Sequence, residues 1–353
     1  MENSESTNGA LWPNDKLQPV IITYNRAKQL AETLEAFFSA GLSSMQLTIL
    51  DNASPDNTPE VVRSYQQKWP QLNYVRNYYN IGGCANYLRA LEITDSEYCW
   101  VIGDDDKWIF EGLPELIEVL GKGEADVIRL GWQVAAAERG TMSTLSELVN
   151  TSSSFLGSVS MISSVIARRD FTTRYISEAY FSISDFYPQM VPFYKEATSS
   201  AVKVYSLSAD FMAHTPSEDR GYFFGDLEWL TYYCRSTRYI QNRRIKERVI
   251  ADIMSYQRQQ FRFRFSWAQN VRIILQLALK PKALGFDQLP YLFSLIGYGV
   301  GMRGSVALAL IIYLVLPVSF LRRATSYLRS RNGLDGDLGK ELQYILEGRT
   351  KRQ

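Results

Sequence analysis

Residues 100–106 read Trp-Val-Ile-Gly-Asp-Asp-Asp, an apolar run that stops at a glycine and three consecutive carboxylates. Cys99, Trp100, Val101 and Ile102 have the length and continuous hydrophobicity of a strand buried on both faces in a parallel sheet. Such a strand places Asp104, Asp105 and Asp106 at its C-terminal edge, where open α/β sheets bind ligands. Three neighbouring anions repel one another unless a cation or an opposing charge offsets them. A hard divalent cation suits the position, because Mg²⁺ and Mn²⁺ take oxygen ligands and join a carboxylate to a substrate phosphate. The structural alternative is a solvated acidic turn, since Asp is also a good helix N-cap.

The segments upstream repeat this pattern at βα spacing, which favours the ligand-binding reading. Pro19–Thr23 (PVIIT) predicts a strand, and Tyr24-Asn25-Arg26 then leads into a helix with Leu30, Leu34, Phe37 and Phe38 on one face. Leu47–Leu50 predicts the next strand, running into Asp51-Asn52-Ala53-Ser54-Pro55-Asp56-Asn57-Thr58. Thr58 is placed to cap, and Pro59 to open, a helix bearing Val61, Val62 and Tyr65. Tyr74–Arg76 is a weaker third strand, followed by Asn80-Ile81-Gly82-Gly83-Cys84-Ala85-Asn86 and a helix through Leu88 and Leu91. Gly82 and Gly83 permit close backbone approach to a ligand, or form an ordinary tight turn.

Taken in order, YNR, DNASPDNT, NIGGCAN and DDD resemble the nucleotide-binding half of family 2 glycosyltransferases with the GT-A fold. The pattern there is a TYNR-like first loop, a D(D/N)xSxDxT second loop, an NxGxxxAxN segment and a DxD motif. Residues 19–107 carry the four in this order, the third in the shorter form NxGxxAN. The resemblance is faint from there to about residue 215 and does not extend into the C-terminal region. It implies an α/β chain with a Rossmann-like sheet, residues 18–107 forming a nucleotide-sugar half and 108–234 an acceptor half of one catalytic domain. It also implies roles. Thr23, Asn25, Arg26 and Asp51 would contact the base and ribose, and Gly82 and Asn86 would line the nucleotide-sugar site. Asp104 and Asp105 would bind the donor. Asp104 and Asp106 match the outer carboxylates of DxD and would hold Mn²⁺ or Mg²⁺, Asp106 most directly.

For the general base, the resemblance points to an Asp at the start of a helix after an acceptor-side strand. Gly157–Arg168 (GSVSMISSVIAR) resembles that strand, and Asp185 in Ser184-Asp185-Phe186-Tyr187-Pro188 is the candidate. The family's Glu-Asp pair is replaced here by Ser-Asp, and no QxxRW motif follows. ISSVIARRDF with YPQM resembles bacterial O-antigen transferases of the abequosyltransferase type. Asp219 and Asp226 are alternatives, as is a structural N-cap role for Asp185. His214 either approaches the metal or diphosphate or is a hydrogen-bonded structural residue.

Composition narrows the chemistry. His214 is the only histidine, which excludes His-based metal triads and argues against a Ser-His-Asp arrangement. Cys84, Cys99 and Cys234 are odd in number and widely spaced, so neither a disulfide framework nor a zinc site is expected. Acid–base work then falls to carboxylates. The 353 residues allow one α/β domain with an appended region. Residues 1–17 show no secretory leader and read as a flexible tail, so the chain is expected to start in the cytoplasm.

The formal charge of +1 hides an asymmetry: residues 1–234 carry 17 Lys and Arg against 30 Asp and Glu, and residues 235–353 carry 21 against 7. The basic stretch runs from Arg235, Arg238, Arg243, Arg244, Lys246 and Arg248 to Arg258, Arg262, Arg264 and Arg272. Tyr256, Phe261, Phe263, Phe265 and Trp267 lie among them. This mixture suits an anionic membrane surface or nucleic acid, or else a solvated helix face that pairs with the acidic domain. Ser305–Leu321 is an uncharged run of 17 residues at the lower limit for spanning a bilayer, and 288–302 is uncharged too. Arg322, Arg323, Arg329 and Arg331 follow and oppose translocation of that end. These features favour membrane over nucleic acid. Residues 235–353 are expected to form a basic, mostly helical region, peripheral or monotopic on the cytoplasmic face of the membrane.

The expected function is transfer of a sugar from a nucleotide-sugar donor to a lipid-linked or polysaccharide acceptor, O-antigen-like or capsule-like, with inversion and a divalent metal. The alternatives are a nucleotidyltransferase, which should carry a basic phosphate-binding loop near its start, and a non-catalytic scaffold of an envelope-glycan complex.

Overall fold

The computed structural model describes residues 12–213, 233 and 235–250, together with residues 307, 311, 312, 314–317, 319, 320, 323, 326 and 327. His214, Asp219, Asp226, the basic stretch beyond residue 250 and the uncharged run at 288–302 lie outside the described residues. Two units divide the chain, the first covering 1–222, 239–241 and 353 and the second 223–238 and 242–352.

The strands of the first unit are β1 (Val20–Thr23), β2 (Leu47–Asp51), β3 (Leu72–Arg76), β4 (Tyr98–Cys99), β5 (Val101–Gly103), β6 (Lys107–Trp108), β7 (Val127–Arg129), β8 (Thr141–Thr144), β9 (Val165–Arg168), β10 (Lys203–Ser206) and β11 (Met212–Ala213). Four longer helices follow strands: α1 (Ala27–Ser39), α2 (Thr58–Gln66), α3 (Gly83–Glu92) and α4 (Leu113–Lys122). β3, β2, β1 and β5, in that order, form a parallel sheet. Its register pairs Thr23 with Asp51, Asp51 with Arg76, and Ile22 with Gly103, so the loops after all four strands open on one edge. The second sheet, ordered β4-β9-β7-β10-β8, is mixed, and β6 pairs with β11 in a two-stranded ribbon.

The apolar run before the carboxylates is not one strand. It divides at Trp100, with β4 antiparallel to β9 in the second sheet and β5 parallel to β1 in the first. The reason is packing. The Trp100 ring is buried and meets Trp12, Phe37, Trp108 and Phe211 at centroid separations of 5.7–6.4 Å. Trp108 in turn lies 4.9 Å from Phe37, edge to face. The carboxylate loop is thus held between two tryptophans of one aromatic cluster, and such pairs add about 0.5–1.5 kcal/mol each beyond area burial.

The apolar stripe of α1 forms as its spacing predicts: Leu30, Leu34 and Phe37 are buried, and Phe38 packs partly buried beside them. Other expectations shift. Residues 12–17 are not a loose tail, because Trp12 and Leu17 are buried in the core and Trp12 Nε1 donates to Leu17 O at 2.8 Å. Within 157–168 only the last four residues are strand, and helical turns occupy Phe155–Val159 and Ile162–Ser164. Thr58 is already helical rather than the cap of α2, whose N-cap position is Asn57. Among the described residues no helix is long and apolar enough to cross a membrane.

Candidate active site

The carboxylates after β5 meet the loop after β1. Asp104 Oδ2 accepts from Thr23 Oγ1 at 2.6 Å and Oδ1 from Arg26 Nη1 at 2.9 Å, while the Asp104 carbonyl accepts from Thr33 Oγ1 at 3.0 Å. The same Arg26 nitrogen lies 3.0 Å from Asp105 Oδ2. Arg26 is therefore the opposing charge that adjacent anions need. Burial pushes the Asp104 carboxyl up to about 6; Arg26 opposes that rise and Asp105 adds to it. Both Asp104 oxygens accept a hydrogen bond and Asp105 shares Arg26, and each carboxylate keeps lone pairs with which a cation can be bound.

Gly103 keeps this loop close to the second half of the domain. Its N–H donates to Ser163 Oγ at 2.8 Å, and a Cβ there would stand 3.1 Å from Asp106 Oδ2. Ser163 O also accepts from Trp100 Nε1 at 3.0 Å. One buried serine therefore braces both the start of the carboxylate loop and the tryptophan beneath it.

Asp51, at the end of β2, is fully buried and carries three donors: Tyr74 OH at 2.6 Å and Arg76 Nε at 3.1 Å on Oδ2, and Ser54 N at 2.8 Å on Oδ1. Burial and the bond to Asp51 raise the Tyr74 phenol. Arg76 Nη2 also donates to Ser54 O at 2.8 Å. Asn25 adopts φ 55° and Ala53 φ 66°, left-handed conformations that are costly for side chains and that concentrate at functional sites.

The loop after β3 is fixed by four carboxamides. Asn77 Nδ2 donates to Asn52 Oδ1 at 2.9 Å and Asn86 Oδ1 at 2.8 Å; Asn52 Nδ2 donates to Asn80 Oδ1 at 2.8 Å. Ile81 N reaches Asn52 Oδ1 at 3.0 Å and Gly82 N reaches Asn80 Oδ1 at 2.8 Å. Asn86 thus acts inside the loop's frame. Gly82 has φ 85° with ψ 152°, a conformation essentially restricted to glycine. At Gly83, by contrast, a Cβ would meet nothing within 4 Å, so of the pair only Gly82 is required by the backbone.

Asp185 lies in a separate element, as the last residue of the turn Ile183–Asp185 rather than the first of a helix, and is 0% exposed. Phe186 beside it has φ 60°.

As to a metal, no group of three or more His, Cys, Asp or Glu among the described residues stands ready to enclose one. Mg²⁺ and Mn²⁺ commonly bind through one or two carboxylates and complete their shell with substrate phosphates and water. Asp104 and Asp106, the outer carboxylates of the run, fit that shared kind of site and not a dedicated cage.

The model of glycosyl transferase family 2 matches residues 20–199, the span that contains every one of these elements. The chain belongs to that family. An abequosyltransferase of Salmonella typhimurium is 29% identical over 110 residues, 30% of this chain and 33% of that protein. An uncharacterized glycosyltransferase of Mycoplasma pneumoniae is 25% identical over 93 residues, 26% of this chain and 31% of that protein. The chain thus spans about a third of the length of these curated relatives. Residues 1–349 of S. aureus TarS, crystallised with UDP-GlcNAc, superpose with a TM-score of 0.52 at 14% identity, covering 94% of this chain and 90% of that one. That likeness bears out the α/β architecture. Family membership sets aside the nucleotidyltransferase alternative.

Several members of this family 2 site escaped the reading of the sequence. Ser54, Asp56 and Asn80 lie inside quoted motifs but were given no role, whereas Tyr74 and Arg76 were read only as strand. Asn77 follows β3 directly, where a polar residue at a strand end is a usable signal. Ser163 carries none, since its link to Gly103 crosses 60 residues.

Proposed function

We propose that this chain transfers a sugar from a nucleotide-sugar donor to a lipid-linked or polysaccharide acceptor, with inversion, at the cytoplasmic face of a membrane. The observation that carries the donor part is the convergence of Thr23, Arg26, Asp51 and Asp104–Asp106 at one edge of a parallel sheet, where such folds bind nucleotides. The nucleotide sugar in the TarS crystal structure and the sugar transfer named for the Salmonella relative support it.

In this reading the base and ribose lie against the loops after β1 and β2, which the bond from Asn25 N to Ser54 Oγ ties together, while Asp51 joins the second loop to β3 through Ser54 and Arg76. The loop after β3 and the first turn of α3 approach the sugar. Asp104 and Asp106 would hold Mn²⁺ or Mg²⁺, which when bound supplies positive charge to the departing diphosphate. Asp185 takes the proton from the acceptor hydroxyl as that oxygen attacks the anomeric carbon. Its burial means that the acceptor must enter by displacing part of the turn Ile183–Asp185.

Membrane association is supported by the charge reversal after residue 234 and by helical residues Ile311, Leu314, Val315, Phe320 and Tyr327, which are 53–69% exposed. Apolar side chains displayed in this way suit an interface with lipid.

A thermal-shift screen of nucleotide sugars with Mn²⁺ tests the donor part, because a ligand of the native state raises the melting temperature. A hydrolysis assay on the best binder then separates an enzyme from a scaffold. A chain that binds no nucleotide sugar in the screen contradicts the proposal.

A further inference from the structure

The chemistry above uses Asp51 but leaves the second carboxylate of the same loop without a task. Asp56 Oδ2 accepts from Ala27 N at 2.9 Å, and its Oδ1 accepts from Thr58 Oγ1 at 2.6 Å and Thr58 N at 3.2 Å. Ala27 is the first residue of α1 and Thr58 the first of α2, so one carboxylate serves the N-termini of two helices. Neither helix is capped by the side chain of its own N-cap residue, Arg26 for α1 and Asn57 for α2. Arginine has no acceptor with which to cap, and here its guanidinium reaches Asp104 and Asp105 instead. The acceptor that α1 lacks arrives from the neighbouring loop, and it arrives as an anion, which the positive ends of both helices favour.

A second tie lies on the other side of Arg26. Asn25 N donates to Ser54 Oγ at 2.9 Å, and Asn25 is held at φ 55°. The residues immediately before and after Arg26 are thus each bonded to the second loop, one through Ser54 and one through Asp56. With both neighbours fixed, the backbone from which the Arg26 side chain starts has little freedom, which narrows the rotamers that reach Asp104 and Asp105.

We propose that Asp56 is a positioning residue of the donor site: by capping α1 from the second loop, it holds Arg26 aimed at Asp104 and Asp105. The donor-binding part of its test rests on the nucleotide-sugar reading; the geometric part does not.

Asp56→Ala removes the start of two helices and can prevent folding, so Asp56→Asn, which keeps one carbonyl acceptor, is the informative variant. Crystal structures of the full chain without ligand, wild type and D56N, should show α1 and α2 in place in both, with the Arg26 guanidinium withdrawn from Asp104 and Asp105 in the variant. An unmoved Arg26 overturns the proposal. Calorimetric titration with Mn²⁺ and the nucleotide sugar ranked first by thermal shift supplies the second arm. D56N should weaken binding by roughly five- to tenfold, the equilibrium factor of a lost cap, in a chain with Arg26. In an Arg26→Lys background it should change binding by less than about twofold, because coupled residues are non-additive. Equal losses in the two backgrounds point to a merely structural Asp56 and also overturn the proposal. A wild-type chain that binds no nucleotide sugar sinks the donor reading alone, and the crystal structures then decide the position of Arg26.

Discussion

Arg26 and Asp104 meet at 2.9 Å, Nη1 to Oδ1, with 16% and 4% of their side chains exposed. This pair turns a self-repelling run of carboxylates into a site that is held together before any donor arrives. Because Asp105 shares the guanidinium, removing Arg26 takes the same counter-charge from two carboxylates at once. Breaking a shielded pair from one side costs about 3–5 kcal/mol, and Asp104 can relieve part of that by taking a proton. Arg26→Ala should therefore lower stability by about 3 kcal/mol in urea unfolding at pH 7.5 and weaken donor binding at least tenfold. A loss below 1 kcal/mol would show that the pair contributes little.

The division of labour among the three carboxylates gives a second prediction. Asp104 accepts from Thr23 and Arg26, Asp105 shares Arg26, and Asp106 follows them along the loop. Asp106→Asn should abolish the Mn²⁺-dependent part of transfer with the fold intact. Asp104→Asn should weaken the donor and the titration with Mn²⁺ together. Full activity of Asp106→Asn in the presence of EDTA would end the assignment.

How far this site could be read from the sequence follows from which contacts are local. The four strand ends and their loops were legible, because apolar runs ending in Asn, Asp and Gly repeat at βα spacing and parallel register then brings them to one edge. The break at Trp100 was not, since a run of Cys, Trp, Val and Ile reads as continuous strand, and only the packing of its ring against Trp12 and Trp108 divides it. For the same reason the buried Trp12 looked like part of a polar tail. Asp51 was legible as a carboxylate at a strand end, but its three donors come from Ser54, Tyr74 and Arg76, and the last two reach it only through the pairing of β2 with β3. The contact of Arg26 with Asp104 was not legible: a sequence shows that a cation and three anions are present, and not that 78 residues of chain bring them within a hydrogen bond.

Asp185 provides a third prediction. A carboxylate buried to 0% exposure and followed by a left-handed Phe186 is an unfavourable arrangement for structure alone. Asp185→Asn, which preserves shape, should leave donor affinity unchanged and lower turnover by roughly 10²-fold or more, the usual scale for losing a general base. Near-normal turnover would move the role to Asp219 or Asp226.

The Asp56 clamp has a pH signature of its own. Burial pushes this carboxyl upward, yet the bonds from Thr58 and Ala27 outweigh it and its pKa rests below the ordinary Asp value of 3.8. In the window between the folded and ordinary values the unfolded chain binds the extra proton, so stability rises with pH there. The contribution is complete above the ordinary value and is lost as pH falls through the folded one. The gap in stability between wild type and Asp56→Asn should accordingly be constant from pH 5 to 8 and shrink below about pH 4. Equilibrium denaturation across that range is the measurement, and a gap that widens in acid would contradict the assigned direction.

The last prediction concerns the region after residue 234. Two contributions should add at a membrane: insertion of exposed apolar side chains such as Leu314 and Val315, and attraction of the basic residues to anionic lipid at about 1 kcal/mol for each well-placed charge. They respond differently to salt, because Debye screening weakens the second and not the first. Flotation of the full chain with vesicles containing phosphatidylserine should show binding that falls, but does not vanish, between low and high salt. Neutral vesicles should retain only the salt-insensitive part. Leu314→Glu with Val315→Glu should remove that remainder without changing nucleotide binding, whose residues all lie before 107. A full-length chain that stays in the soluble fraction with anionic vesicles at low salt would assign these apolar residues to contacts within or between protein chains.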